Sequence, residues 1–62
     1  MKNLILTARA IPGTPRNQVF QEAIDFAIEQ DCMVELFVEG VTIHVLPDST
    51  IEVLTQSFSE RQ

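Results

Sequence analysis

Residues 32–46 contain two apolar runs separated by Glu39 and Gly40. A two-residue loop that contains glycine can supply the positive φ angles of a tight hairpin turn, so the sequence predicts antiparallel strands over residues 32–38 and 41–46. The turn also sets the register, because every facing pair follows by counting outward from it. The predicted pairs are Val38 with Val41, Phe37 with Thr42, Leu36 with Ile43, Glu35 with His44, Val34 with Val45 and Met33 with Leu46.

The two faces of this predicted hairpin differ in chemistry, because side chains alternate between the faces of a strand. One face is aliphatic and consists of Val34, Leu36, Val38, Val41, Ile43 and Val45. The other face is mixed and consists of Met33, Glu35, Phe37, Thr42, His44 and Leu46. A shift of one residue would destroy this separation, so the pattern specifies a single register.

The residues before the hairpin predict a strand followed by a helix. Residues 3–11 alternate imperfectly, which suits a strand covered on one face and partly covered on the other. Pro12 and Gly13 form a turn signal, while Thr14 and Pro15 are typical of a helix N-cap and first helical position. The sequence therefore predicts the main helix over about residues 15–30.

This helix is amphipathic when successive residues are placed 100° apart. Its apolar stripe consists of Phe20, Ala23, Ile24, Ala27 and Ile28. Val19 and Phe26 lie on the flank of the stripe and widen it beyond what a small core requires, so we expect this shoulder to contact a neighbouring subunit. Glu22, Asp25 and Glu29 form an acidic row on the opposite side.

The residues after the hairpin predict a second, shorter helix. Pro47 and Asp48 end the strand. Ser49, followed three residues later by Glu52, matches the capping-box pattern of a helix start. The helix is predicted over about residues 50–58.

The apolar spacing supports this second helix. Ile51, Leu54 and Phe58 recur at helical intervals. A strand over residues 51–55 remains an alternative, because Ile, Val and Thr all favour strands. Residues 57–62 are expected to fray.

The predicted fold class is α+β, in the order β-α-β-β-α, with a small three-stranded sheet. The first strand pairs either in parallel with the second, through a right-handed crossover, or antiparallel with the third, and we prefer the first arrangement. At 62 residues the chain is a single domain near the lower size limit for an independent core, which favours an oligomer.

Charge is unevenly distributed along the chain. All nine acids lie between Glu22 and Glu60, and no Lys or Arg occurs over residues 17–60, within a net charge of -5. Such a surface repels nucleic acid and anionic membrane, so neither is expected to bind directly. It favours a basic protein partner, although moderate net charge also serves solubility alone.

Further features predict a soluble cytoplasmic protein. No apolar run approaches the roughly 18 residues that a membrane helix needs. Cys32 is the sole cysteine, so it cannot form an internal disulfide, which fits a reducing compartment. We expect this thiol to be an inert, buried side chain.

The sequence predicts no enzyme, cofactor or metal site. His44 opposite Glu35 is the one pair that resembles a proton-transfer arrangement. No serine, lysine or second histidine stands where it would complete a mechanism, so a cross-strand polar pair is the preferred interpretation. Cys32 and His44 fall on opposite faces and cannot supply the three or four ligands of a zinc site.

Two alternatives concern anions and nucleic-acid mimicry. The turn before the main helix could receive a nucleotide-like anion between subunits, because helix N-termini attract anions. The residues predicted for that site are Arg9, Thr14, Arg16 and His44. The acidic row of the main helix could instead mimic nucleic acid and block a basic groove, although a solvated helix face explains the same residues.

Residues 38–54 read Val-Glu-Gly-Val-Thr-Ile-His-Val-Leu-Pro-Asp-Ser-Thr-Ile-Glu-Val-Leu. From residue 38 through residue 58 the arrangement resembles the opening hairpin and following helix of ubiquitin-like sulfur carriers. That family carries a terminal Gly-Gly, whereas residues 60–62 here are Glu-Arg-Gln. We therefore interpret the likeness as a similar local arrangement of strand, turn and helix, not as membership of that family. As a short acidic chain without a catalytic set, the protein is similar in kind to small accessory proteins of bacteriophages and mobile elements, including inhibitors of host defence.

The leading expectation is a noncatalytic accessory or inhibitor protein that forms a homodimer or higher oligomer and binds another, possibly basic, protein. Exposed apolar surface usually marks an interface, and the mixed hairpin face lacks a cover within the predicted monomer. The predicted interface comprises Met33, Glu35, Phe37, Thr42, His44, Leu46, Val19 and Phe26.

Overall fold

The computed structural model describes residues 2–61, and the elements follow the predicted order β-α-β-β-α. The elements are β1 (Ile5–Arg9), α1 (Arg16–Gln30), β2 (Met33–Val38), β3 (Val41–Val45) and α2 (Ile51–Arg61). None of the described helices is long and apolar enough to cross a membrane.

The three strands form one mixed sheet in the order β1-β2-β3. β1 runs parallel to β2, which confirms the preferred arrangement of the first strand. β2 and β3 are antiparallel, and their five pairs, from Val34 with Val45 to Val38 with Val41, have the register derived from the sequence. The predicted pair of Met33 with Leu46 lies one step beyond the residues that pair.

The hairpin turn is tight because both of its central residues adopt positive φ angles. Glu39 has a φ of 50° and Gly40 a φ of 79°. This combination is typical of a type I′ turn, whose backbone twist matches that of the flanking strands. The glycine therefore fulfils the role that the sequence predicts for it.

Helix α1 begins one residue later than the predicted N-cap implies. Pro15 is the N-cap, with φ -57° and ψ 138°, and no side chain makes a capping hydrogen bond there. The prediction that Thr14 caps the helix is therefore wrong, because the extended Pro15 separates Thr14 from the first turn. The helix ends at Gln30, and Asp31 follows in the left-handed region with its N–H donating to the carbonyl groups of Ala27 and Ile28.

Residues 51–55 are helical, which decides between the two alternatives for this segment. The capping residue is Thr50, whose Oγ1 accepts a hydrogen bond from the Val53 N–H at 3.3 Å. Ser49 instead accepts a hydrogen bond from the Leu46 N–H at 2.9 Å. The predicted capping box of Ser49 and Glu52 is therefore wrong by one residue, since the Ser49 hydroxyl is used to close the preceding turn.

Helix α2 extends further than predicted. It continues to Arg61, whereas the sequence predicts fraying from residue 57, and Gln62 lies outside the described residues. Phe58 is fully buried, and its packing keeps the last turns of the helix in place. The helix therefore ends three residues later than the predicted boundary at residue 58.

Both helices pack on the same face of the sheet. α1 lies on β2 and β3, α2 lies on β3, and the helices contact each other. The rings of Phe20 and Phe58 meet edge to face, with centroids 6.5 Å apart. The core consists of Val19, Phe20, Ala23, Ile24, Ala27, Val34, Leu36, Val38, Ile43, Val45, Leu54 and Phe58. The aliphatic hairpin face is thus the floor of the core.

The buried stripe of α1 is rotated relative to the prediction. Val19, predicted on the flank, belongs to the core, whereas Ile28, predicted within the stripe, is exposed. At 100° per residue, a stripe centred nearer to Val19 places Ile28 beyond its edge.

Candidate functional site: the open face of the sheet

The sheet has helices on one face, and on its other face no described element covers it. We call this surface the open face. It consists of Ile5, Thr7 and Arg9 from β1, Met33, Glu35 and Phe37 from β2, and Thr42 and His44 from β3, with Leu46 just after β3. Because β2 is the central strand, its three residues form the middle of the surface.

The strand register arranges these side chains in cross-strand rows. Thr7 lies beside Glu35, and Glu35 lies beside His44. The next row along β2 places Arg9, Phe37 and Thr42 side by side, and the row at the other end pairs Ile5 with Met33. Neighbours on one sheet face stand close enough for their side chains to interact, so apolar residues flank a polar middle row.

Apolar exposure on this face is shared between β1 and β2. Ile5 is 60% exposed, while Met33, Phe37 and Leu46 are only partly buried. The sequence prediction identified the hairpin residues but missed the contribution of β1. The signal that locates Ile5, Thr7 and Arg9 here is the parallel register between β1 and β2, which the sequence does not specify.

Glu35 and His44 meet as predicted across the β2–β3 ladder. The His44 Nε2 lies 3.7 Å from the Glu35 Oε2, and the two side chains are 49% and 33% exposed. Such a half-exposed pair contributes about 0–1 kcal/mol and only when the imidazole is protonated. Among the described residues, no group of three or more His, Cys, Asp or Glu could hold a metal ion. The geometry is that of a cross-strand polar pair.

The predicted helix shoulder lies away from the open face, at the edge of α1 nearest to β1. Val19 is only 8% exposed and is mainly a core residue, whereas Phe26 is 39% exposed. Both line a groove of about 380 Å³ between α1 and β1. The structure therefore separates the predicted interface residues into two surfaces, the open face and this groove.

The acidic row of α1 points into solvent. Glu22, Asp25 and Glu29 are all exposed, and the Gln21 side-chain amide donates to Asp25 at 3.0 Å. Glu22 also lines the groove beside β1. A solvated helix face accounts for this arrangement.

The residues predicted for an anion site are only partly brought together within one chain. Arg9 and Thr14 line the groove beside β1, and Thr14 and Arg16 line a smaller hollow of about 200 Å³. The Arg16 guanidinium donates to the Glu39 carboxylate at 2.9 and 3.2 Å. His44 lines neither cavity, because it lies on the open face.

Cys32 is almost completely buried next to β2, and its N–H donates to the Ala27 carbonyl at 3.2 Å. This position agrees with the expected packing role of the thiol.

Comparisons with protein-family models, with curated proteins and with solved structures give no match.

Proposed function

We propose that this chain is a noncatalytic protein-binding protein, of the accessory or inhibitor kind, which self-associates and binds a partner protein through its open face. The observation that carries the proposal is the one-sided sheet, because a sheet face with several apolar residues and no helix above it gains free energy when another surface covers it. Contiguous exposed apolar surface usually marks a binding site.

The composition of the open face suits a protein partner better than a small ligand. Both described cavities lie on the helix side or at its margin, and neither is lined by Met33, Phe37 or His44. Small-ligand sites are usually concave, whereas protein interfaces are broad and combine an apolar centre with polar groups. The partner would cover the rows of side chains as a surface rather than fill a pocket.

Charge favours a partner with basic residues around its contact surface. The chain has a net charge of -5, and Glu35 stands in the middle row of the open face. Complementary charge raises the association rate and discourages acidic partners. The same charge disfavours direct contact with nucleic acid or anionic membrane. A reducing, cytoplasmic setting fits a chain whose one cysteine is a free, buried thiol.

The bacteriophage or mobile-element origin, the anion site and nucleic-acid mimicry stay predictions without an observation that favours them. For the anion site, the Glu39 carboxylate already occupies the Arg16 guanidinium. For mimicry, the acidic row has the exposure of an ordinary solvated helix face.

The test uses the wild type and two double variants as bait and measures which proteins each one binds from a cell lysate. Met33→Thr with Phe37→Thr removes apolar surface from the open face while keeping residues that favour strands. Ile28→Gln with Val53→Gln removes exposed apolar surface from the helix side and is the matched control. The proposal expects a protein that binds the wild type and the control but binds the open-face variant at least tenfold more weakly.

Circular dichroism and thermal unfolding establish that both variants are folded. Two results would overturn the proposal. One is binding of the partner by the open-face variant at wild-type strength. The other is a rise in melting temperature on adding nucleotides that is the same in the wild type and in the open-face variant. Quantitative mass spectrometry of the bound fraction gives the ratio directly.

A further inference from the structure

One hydrogen-bonding edge of the sheet is available along β1. The Ala10 N–H donates to the Phe37 carbonyl at 2.9 Å, so the backbone groups of even-numbered residues in this strand face β2. Backbone groups alternate in direction along a strand, and those of Ile5, Thr7 and Arg9 therefore face outward. No other strand among residues 2–61 pairs with this edge.

The same edge has few of the devices that normally protect a strand from pairing. Natural edges are blocked by proline, charged side chains, bulges or a covering element, or are very short. Residues 5–9 contain no proline, and Arg9 is the one charged residue. Leu4, Ile5 and Ile11, at the ends of the strand, are 64%, 60% and 75% exposed.

The helix side of β1 is also incompletely covered. α1 and α2 lie over β2 and β3, and Leu6, Ala8 and Ala10 are only partly buried. The groove of about 380 Å³ runs between this strand and α1, with Phe26 exposed at its margin. The helices therefore cover one side of β2 and β3 but leave the same side of β1 partly uncovered.

We propose that a second copy of this chain adds its β1 to this edge, antiparallel, so that Thr7 lies beside the partner's Thr7 and the two sheets become one of six strands. This inference rests on the self-association within the proposed function and specifies its surface. The two-fold axis would run perpendicular to the sheet, so both open faces lie on the same side and join into one surface twice as wide.

The register follows from the outward-facing backbone groups. In an antiparallel pair, outward-facing residues must oppose each other to exchange their hydrogen bonds. Only the register centred on Thr7 pairs all three with outward-facing partners: Ile5 with the partner's Arg9, Thr7 with the partner's Thr7, and Arg9 with the partner's Ile5. A shift in either direction leaves one of the three without such a partner within residues 5–9.

In this register, large side chains of one copy face small side chains of the other on the helix side of the sheet. Leu6 falls opposite the partner's Ala8, and Leu4 falls opposite the partner's Ala10. Every large residue therefore meets a small one, which is the alternation that lets facing layers interdigitate without voids. On this side the strand has its large residues, Leu4 and Leu6, before Thr7 and its small ones, Ala8 and Ala10, after it. That asymmetry fits an antiparallel copy of itself.

Charge is also compatible with a second copy. The two Arg9 side chains would be four residues apart along the strands, roughly 13 Å, so their repulsion is largely screened.

The contact area limits how strong the dimer can be. A standard interface buries about 800 Å² on each partner, which is about a fifth of the 4257 Å² surface of this chain. The exposed apolar residues near the edge are Leu4, Ile5, Ile11 and Phe26. The oligomeric state is measured over a range of concentrations, because a dimer with a smaller contact area dissociates on dilution.

The experiment uses cysteine cross-linking under mild oxidation in the full chain. Facing residues of a hydrogen-bonded pair have Cα atoms about 5.5 Å apart, within the range that a disulfide spans. Thr7→Cys is expected to form a covalent dimer. Ile5→Cys alone and Arg9→Cys alone are the controls and are expected to remain monomeric, because each would lie roughly 13 Å from its own counterpart. A mixture of the two is expected to cross-link.

A second variant tests the hydrogen bonds independently. Thr7→Pro removes an outward N–H that the pairing of β1 with β2 does not use, and edge strands tolerate proline at such positions. Sedimentation is expected to show a dimer for the wild type and at least a tenfold weaker dimer for this variant. Should the proline prevent folding, Thr7→Lys, which opposes two like charges across the axis, is used in its place.

Several results would overturn the inference: a wild-type monomer at all concentrations, a dimer indifferent to both Thr7 variants, or efficient cross-linking of Arg9→Cys to itself. Partner binding through the open face is measured separately with the Met33 and Phe37 variants. A monomer that still binds a partner through that face would overturn this inference and leave the protein-binding proposal intact.

Discussion

The guanidinium carbon of Arg16 lies 4.1 Å from the centroid of the Phe58 ring. The same guanidinium donates to Glu39 in the hairpin turn. One side chain at the start of α1 thus joins α2 and the β2–β3 turn, and it covers an aromatic ring that is otherwise fully buried. In a chain of 62 residues, where each contact is a large part of the net stability, this bridge ties α1, α2 and the β2–β3 turn together.

We expect Arg16→Gln to lower the free energy of unfolding by about 1 kcal/mol, because the cation loses its position over the Phe58 ring. Glu39→Gln, which removes only the exposed ion pair, should cost less than about 0.5 kcal/mol. Urea unfolding followed by circular dichroism gives both values. Equal losses in the two variants would show that the ion pair, and not the ring contact, supplies the stabilisation.

The positive φ angle of Gly40 predicts that a D residue is tolerated at this position better than an L residue. Gly40 has a φ of 79°, and an added Cβ would have no atom within 4 Å, so any cost of a side chain there comes from the backbone alone. Gly40→Ala should destabilise the chain by about 1–2 kcal/mol, since an L residue is strained in this region. A synthetic chain with D-alanine at position 40 should instead be at least as stable as the wild type. Comparable losses for both enantiomers would contradict the backbone explanation.

The hairpin could be derived from sequence because a short turn and strict alternation both constrain one register, and five observed pairs follow from Glu39 and Gly40 alone. The helix caps could not be located exactly from the sequence, because Thr14 and Ser49 can both cap a helix but each lies one position before the observed cap. The share of β1 in the open face depends on a parallel register that no local turn specifies. The hairpin register was therefore predictable from local sequence, whereas the exact cap positions and the register of β1 against β2 were not.

The two helix starts provide a matched pair of threonines. Thr50→Ala removes the hydroxyl that accepts the Val53 N–H, and it should lower stability by about 1 kcal/mol. Thr14→Ala should cost less than about 0.5 kcal/mol, because no side chain caps α1. Thermal and urea unfolding of the two variants under the same conditions tests the difference. A larger loss at Thr14 than at Thr50 would contradict the observed caps.

Phe20 and Phe26 lie six residues apart on α1, yet they differ in what their removal should do. Phe20 is fully buried against Phe58, and Phe20→Ala should cost about 3–5 kcal/mol, enough to unfold much of so small a domain. Phe26 is 39% exposed beside the groove, and Phe26→Ala should cost about 1–2 kcal/mol in the monomer. Amide hydrogen exchange of β2 and β3 distinguishes the two, because only Phe20→Ala should abolish protection across the sheet. Similar protection in both variants would mean that the core does not depend on the contact between Phe20 and Phe58.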